Sequence, residues 1–541
     1  MVDKALAAKS KVLVIDDQEL AIGYIKYPLE KLGFHDITIA DRVQTAMDLI
    51  NTRVYDLIMC AYEFRKEKDG YFLFDELKRR NMLSMLTTFV FVSADTSKEL
   101  IHSILELQPD DFLAKPFTIK DLDRRLTRAL SRKRAMRKIY RYMHDKKFNS
   151  ALESVNEFLA DSAHADYFPT ALKAKGEILL GMNNAQQAVD FYQAIVDIQP
   201  HSWAQMGLVK ALLQADKVED AEKLILRLAV KPDTQLLAYD LLTELQIYQK
   251  DFDTALESSV VASEVSPRNL NRHQKTVELS RLTNDHKTLF ETTKKIVRYA
   301  KNSVHDKPNI YLDVARAGID YAMTTEDEQT VNLTKEANDY LTHFSEIAQG
   351  GEVQTQMDVC NARILQLQND TKGATELLKQ IHSDNWQSHS ESDLLDRAKA
   401  LHSVGMHKES AEIIAFLADK AVEKDGENSV HAQYLQQEKR LKHDILLTPK
   451  ELNNKAVEYY QRGDTENAMD VFGKAFILMP KNTSIALNLL QTLGMKAQSS
   501  NLAKSDKEIL KQCIYTIENG ELTGEQKERY LKVKSYLSDM S

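Results

Sequence analysis

The chain has 541 residues, 43% of them apolar and 28% charged, with a net charge of −9. That balance argues against a general nucleic-acid or anionic-membrane binder, and the lack of any run of about eighteen apolar residues argues against a membrane span. Cys60, Cys360 and Cys513 stand too far apart for a disulfide framework or a zinc site; a reducing compartment and a cytoplasmic protein are expected.

Residues 1–10 carry lysines but no apolar signal-peptide core, and read as an N-terminal tail. Residues 11–17, Lys-Val-Leu-Val-Ile-Asp-Asp, form a short apolar run closed by two acids, the pattern of a strand buried on both faces. Residues 18–32 place Leu20, Ile22, Tyr24, Ile25, Leu29 and Leu32 at helical spacing, with Pro28 expected to kink or end the helix. Strands follow at 36–40, 56–60, 88–93 and 111–114, separated by helices at 43–51, 72–80 and 98–107, with a last helix after Pro116. Strict alternation of strand and helix predicts a parallel sheet covered on both faces, with its site beyond the carboxyl ends of the strands.

Those ends carry the chemistry. Asp16 and Asp17 follow the first strand, Ser93 closes the fourth, and Lys115-Pro116 follows the fifth. Two carboxylates, a hydroxyl and an ammonium suit a divalent cation and phosphoryl oxygens. The acidic pair, Ser93, Lys115-Pro116 and the loop Lys68-Asp69-Gly70 resemble the receiver domain of response regulators over about residues 10–132. The resemblance implies a flavodoxin-like five-stranded sheet, a cis peptide before Pro116, and a phospho-accepting aspartate at the end of the third strand. That position is Ala61. The family's switch aromatic falls on Phe112, which has no hydroxyl and is expected to pack in the core. A methyl group cannot attack phosphorus, and a metal site with one carboxylate fewer leaves only weak Mg²⁺ binding by Asp16 and Asp17, or none. Three other readings stay open: a solvated acidic turn at Asp16-Asp17, pairing of Ser93 and Lys115 with the acids, and rescue of the chemistry by Glu63. Asp56 lies at the wrong end of its strand for rescue.

Residues 119–148 read as one helix running on past the receiver, lined by Arg124, Arg125, Arg128, Arg132, Lys133, Arg134 and Arg137. Its basic face is read as solvated, or as pairing with acids of the same chain. Beyond it a period near 34 residues appears. The clearest copy, 452–481, carries Ala456, Tyr459, Gly463, Ala468, Phe472, Ala475 and Pro480. Others carry Gly176, Ala188, Tyr192 and Pro200; Trp203, Gly207, Ala221 and Pro232; and Ala255 and Pro267. Small residues let paired helices approach, and an aromatic fills the space to the next pair. This resembles the tetratricopeptide repeat and implies an all-α solenoid. Residues 394–417, with Ala398, Gly405 and Ala411, form a degenerate copy; Gly350-Gly351 is read as a divide; residues 501–541 cap the array. The expected organisation is a tail at 1–10, a receiver at 11–132, repeats at 133–345 and 346–500, and caps at 501–541.

The function expected from this is an adaptor and not an enzyme. It would modulate a two-component pathway, independently of phosphorylation, by binding a histidine kinase or a partner regulator. The repeat groove would hold a protein or peptide, and homodimerisation is a further expectation. The alternatives are a scaffold with no tie to a kinase and a working phosphoreceiver that uses another carboxylate.

Overall fold

The computed structural model describes residues 3–64, 70–95, 106–301, 303, 305–325, 327–381, 386–499, 504–520 and 522–538. Packing divides the chain into two compact units. The first comprises Met1–Tyr248, Ser258–Asn269 and Tyr299–Asp306, and the second Gln249–Glu257, Leu270–Arg298 and Lys307–Ser541. The first unit therefore holds the α/β domain together with the helices that follow it.

The sheet has five parallel strands, β1 (Lys11–Ile15), β2 (Asp36–Ala40), β3 (Leu57–Ala61), β4 (Thr88–Ser93) and β5 (Asp111–Ala114), in the order β2-β1-β3-β4-β5. Every residue of β3 and β4 is buried, which is why both read as unbroken apolar runs. The helices around it are α1 (Lys4–Lys9), α2 (Glu19–Lys31), α3 (Val43–Thr52), α4 (Gly70–Arg79) and α5 (Ile119–Ala135). One sheet face packs Ile25, Leu29, Leu122 and Leu126 on Val12, Val14, Leu57 and Met59. The other carries an aromatic cluster in which Phe74, Phe89 and Phe91 meet edge-on or tilted.

Three local expectations are corrected. The tail is instead a helix, because the Asp3 carboxylate caps it and Ala7 is buried in the core. Pro28 does not stop α2, which continues to Lys31; the ring is buried beside Leu29 and the helix closes with Leu32 donating to the Pro28 carbonyl at 3.0 Å. The long basic helix breaks at Met136, whose buried side chain leaves the helical conformation before the next helix, Arg137–His144. The expected helix at 98–107 falls mostly outside the described residues, as do Lys68 and Asp69.

The basic face of α5 pairs with acids of its own chain. Arg125 binds Asp111 at 2.6 Å, Arg132 and Lys133 both bind Asp110 at 3.1 Å, and Arg134 binds Asp3 at 3.1 Å. In the same unit Arg268 lies over the Tyr62 ring at 5.7 Å, Glu106 accepts from Ser266 and Asn269, and Lys173 donates to Gln108 at 3.1 Å. The α/β domain and these helical residues are thus joined by polar contacts.

The remainder is helical hairpins. Tyr192, on helix Ala185–Ile198, shows how neighbouring pairs fit. A Cβ added to Gly176 would lie 2.4 Å from the Tyr192 hydroxyl oxygen, and one added to Gly207 would lie 2.1 Å from its ring. Glycine before and after is what lets the ring fill the space between pairs. The turns inside the pairs repeat as well: Asn183, Asp216, Lys250 and Asn284 all have positive φ, at a spacing of about 34 residues. Five positions beyond each such residue sits a fully or nearly fully buried one: Ala188, Ala221, Ala255 and Leu289, and likewise Ala374 after Asn369, Ser410 after Gly405 and Ala468 after Gly463. This rule corrects the copy at 394–417. Ala411 is exposed, and Ser410 is the close-packed residue, its hydroxyl donating to the Ala398 carbonyl at 2.7 Å.

The second unit holds the pairs from Leu270–Leu282 onward. One hydrophobic cluster joins Val277, Phe290, Leu312, Phe344, Cys360 and Ile364, so the array does not part at Gly350-Gly351. Helix Val430–Asp444 packs back on Leu270–Leu282, with the Gln437 amide donating to the Leu282 carbonyl at 3.0 Å. Helices Lys504–Asn519 and Gly524–Ser538 follow.

Between helices Pro308–Ala322, Val353–Leu367 and Glu391–Ser403 lies a buried ion network that the sequence reading did not find. Arg363, 1% exposed, bonds both Asp396 and Asp320. Arg316 bonds Asp393 at 2.5 Å, and Lys399 bonds Asp320 at 2.7 Å. Its members recur along each helix three or four residues apart, as Arg316 and Asp320, Cys360 and Arg363, and Asp393, Asp396 and Lys399 do. Lys399 and Arg363 beside it hold the Asp320 carboxyl far below the usual carboxylate range, against the opposing effect of burial.

Candidate functional site

The register of the sheet assembles the rim. Ile15 lies opposite Ala40 on one side and Cys60 on the other, Ala61 lies opposite Val92, and Ser93 opposite Ala114. Asp16, Ala61, Ser93 and Lys115 therefore come to the carboxyl ends of four adjacent strands, flanking the switch between β1 and β3. The Lys115-Pro116 peptide is cis.

Asp16 is 1% exposed, and its carboxylate is held at both oxygens. Lys115 Nζ stands 3.1 Å from Oδ2, and the Gln18 N–H donates to Oδ1 at 3.0 Å. Asp17 is half-buried beside it. Ser93 is buried; its hydroxyl accepts from the Asp95 N–H at 2.9 Å, and its carbonyl accepts from the Lys115 N–H at 2.7 Å. The two residues with phosphate-binding chemistry, Ser93 and Lys115, are thus engaged with the chain itself.

Ala61 is 3% exposed. The start of α4 lies against it: a Cβ added to Gly70 would fall 2.1 Å from the Ala61 carbonyl oxygen, and the Gly70 N–H donates to Tyr62 at 2.8 Å. Tyr62 is fully buried, edge-on to Phe91 at 5.4 Å. Burial, and after it the Asp16 carboxylate, push the Cys60 thiol well above its ordinary value, so it is no nucleophile. Glu63 is exposed. Asp56 caps the other end of the sheet, accepting from the Lys11 N–H at 2.9 Å. Phe112 is half-buried on β5, where a core position was expected.

The donor set does not fit a magnesium ion well. Among the described residues no group of three His, Cys, Asp or Glu side chains is placed to hold a metal. Of the two rim acids, Asp16 is already paired with Lys115. Mg²⁺ keeps several waters and needs only one or two carboxylates, so the pairing of Asp16 with Lys115 is what weakens the fit.

One surface feature was not separated out in the sequence. Leu20, Gly23, Tyr24 and Tyr27 fall on a single face of α2, since residues three and four apart share a face. Leu20 is 92% exposed and Tyr27 56%, and a Cβ on Gly23 would meet nothing within 4 Å. Tyr24 ties this face to the rim: its hydroxyl donates to the Phe117 carbonyl at 2.6 Å and accepts from the Phe117 N–H at 2.9 Å. In the sequence the helical spacing of residues 18–32 merges this outer stripe with the inner one of Ile25 and Leu29. The signal that separates them is Gly23 and Tyr27, which extend Leu20 and Tyr24 into a face of their own.

Comparison with known proteins covers the two parts differently. The chain is 28% identical over 118 residues to a probable chemotaxis protein CheY of Rhizobium etli, 22% of this chain and 90% of that protein. It is 29% identical over 122 residues to the alkaline phosphatase synthesis transcriptional regulatory protein PhoP of Bacillus subtilis, 23% of this chain and 49% of that one. The chain thus spans nearly all of the first relative and about half of the second. A solved tetratricopeptide repeat protein from Parabacteroides merdae aligns at 12% identity and a TM-score of 0.26, over 50% of this chain and 99% of that one. The first part of the chain, residues 12–127, matches the family model of the response regulator receiver domain.

Proposed function

We propose that the protein is an adaptor of a two-component pathway that acts without being phosphorylated, its receiver binding a histidine kinase or a partner regulator. The observation that carries this is Ala61, buried at the end of β3 in a rim that otherwise keeps Asp16, Ser93 and Lys115. The carboxylate nucleophile is gone. The exposed Leu20, Tyr24 and Tyr27 stripe supports docking, since an unpartnered apolar helix face suits another helix. No phosphoryl group separates two receiver states here, so binding is constitutive and set by concentration.

The test is phosphotransfer from a kinase of the same cell to its active regulator, titrated with this protein. Transfer slows or redistributes as the protein rises, and Leu20→Arg relieves the effect. No effect on any kinase at micromolar protein defeats the reading in favour of a scaffold unconnected to kinases. Hydroxylamine-labile label on the wild-type receiver after acetyl phosphate treatment defeats it in favour of a working phosphoreceiver.

A further inference from the structure

The surface expected to bind a peptide in a helical array is the inner face of its first helices. In the second unit that face is taken up by the chain. Arg316, Arg363 and Lys399 are each paired with aspartates. Helix Val430–Asp444 lies across it, with Tyr434 and Glu438 buried and Gln437 bonded to the Leu282 carbonyl. Inserting a peptide there would strand several buried charges.

A different opening remains in the same unit. The array curves until residues near 284 and 324 meet residues near 477 and 482. The Asn284 amide donates to the Ile477 carbonyl at 3.2 Å, and the Asn482 amide donates to the Thr324 carbonyl at 3.0 Å. Lys481 reaches Asp253 at 3.3 Å, and the Tyr515 hydroxyl donates to Glu257 at 3.2 Å. Beside this seam lies a groove of about 810 Å³, within the ~300–1,000 Å³ range of ligand sites.

We propose that this groove binds an extended, uncharged segment of a partner protein through the partner's main chain. Its walls are rich in amides and hydroxyls, among them Thr288, Gln329, Asn332, Asn519 and Gln526; Gln329, Asn519 and Gln526 each give one amide hydrogen to the chain, to Tyr321, Tyr515 and Ser484, and keep a second. A side-chain amide offers donors and an acceptor, the complement of a peptide group. The seam already uses this chemistry, since Asn284 and Asn482 read main-chain carbonyls of the opposite wall. Lys287 and Lys481 are balanced by Glu257 and Asp285, so the lining favours neither a polyanion nor a polycation. A helix would present no free main-chain groups, because its own are bonded internally; an extended segment presents both kinds. Tyr321 and Tyr515 add ring faces for its side chains. The wall is set closely at one point: a Cβ on Gly520 would lie 2.2 Å from the Thr483 methyl.

This goes beyond the adaptor reading and is tested separately from it. The full chain is mixed with a nine-residue peptide of alternating serine and asparagine, and binding is read by saturation-transfer NMR. A backbone N-methylated version of the same peptide is the control. Saturation transfer to the first peptide and its loss in the second are expected, with at least a five-fold weakening in the double variant Asn332→Ala, Asn519→Ala. Both side chains are exposed, and circular dichroism checks that the variant is folded. No transfer to either peptide, equal transfer to both, or full binding by a folded double variant overturns the proposal. If the variant is misfolded, the N-methyl comparison on the wild-type chain decides alone. Kinase titration is a different readout, so failure here leaves the adaptor reading standing.

Discussion

Ala61→Asp would supply the carboxylate nucleophile whose absence the adaptor reading rests on, and puts a number on what that absence does. The register sets β1 and β3 side by side, so a carboxylate at position 61 would stand roughly 5 Å from Asp16. Two carboxylates at that distance repel by about 3 kcal/mol at an effective dielectric near 20. Lys115, 3.1 Å from Asp16, offsets part of this. The Asp16 carboxylate is buried, so salt screens the repulsion poorly. For a unit of about 150–250 residues, 3 kcal/mol corresponds to a shift of roughly 6–12 °C in Tm, reduced by the share Lys115 takes. A third oxygen ligand would also improve the fit to Mg²⁺. The variant is therefore expected to melt several degrees below wild type in EDTA, to recover in millimolar Mg²⁺, and to take label from acetyl phosphate. The wild-type chain is expected to show no label and little response to Mg²⁺. The assay is differential scanning fluorimetry in both conditions beside a phosphorylation gel. A variant that melts like wild type in EDTA and stays unlabelled in Mg²⁺ would refute the reasoning, because Asp16, Ser93 and Lys115 would then not form a phosphoryl site even when the nucleophile is supplied.

Gly207→Ala forces a methyl into the Tyr192 ring and is expected to cost about 1–3 kcal/mol, read as a lower midpoint in urea, with Tyr192→Leu in the same chain recovering part of it. Arg363→Met leaves Asp320 and Asp396 without a shared cation and is expected to destabilise the second unit by about 3–5 kcal/mol, read as a lower midpoint in urea. His431 Nε2 lies 2.6 Å from Glu391; that close pairing raises the imidazole's pKa and depresses the carboxyl's, with Glu278 and Asp425 also favouring the charged ring and burial opposing it. The pair's contribution is therefore present between the ordinary carboxylate and imidazole values. It is lost as pH rises through the elevated His431 value or falls through the lowered Glu391 value, so thermal midpoints should decline as pH rises past the ordinary imidazole value in the wild type and less in His431→Gln.

Much of the first part was legible because its signals are local. A central parallel strand is apolar along its whole length, so β3 and β4 could be placed within a residue, and the rim residues follow from where those runs end. Pairing of Lys115 with a rim acid was among the open readings and is found with Asp16, whereas the engagement of Ser93 with Asp95 was not legible, since it depends on which of several partners a side chain chooses after folding. The outer stripe of α2 was hidden for another reason: a helix with two apolar faces gives a blurred pattern, and only burial separates Leu20 from Ile25. In the repeats the small residues and terminal prolines gave the clear copies. The steadier mark was the left-handed residue five positions before the buried one, and it escaped notice because Asn, Asp, Lys and Gly all fill it. Ser410 was misread as Ala411 for want of that mark. The ion network was invisible as a network, because Asp320, Arg363 and Asp396 each look like an ordinary surface charge within its own helix.

The seam that joins residue 284 to 477 and 324 to 482 bears on how such a chain can change over generations. An open stack of helix pairs can gain or lose one by duplication, because each pair meets only its neighbours. Here the first and last members of the second unit must also meet each other. Removing the pair Val353–Leu367 and Thr371–Gln380 would carry Asn482 away from Thr324, and would take Arg363 from between Asp320 and Asp396. The helix after residue 504 is tied into the closure too, through Tyr515 to Glu257, so the number of pairs within it is inherited as a fixed count.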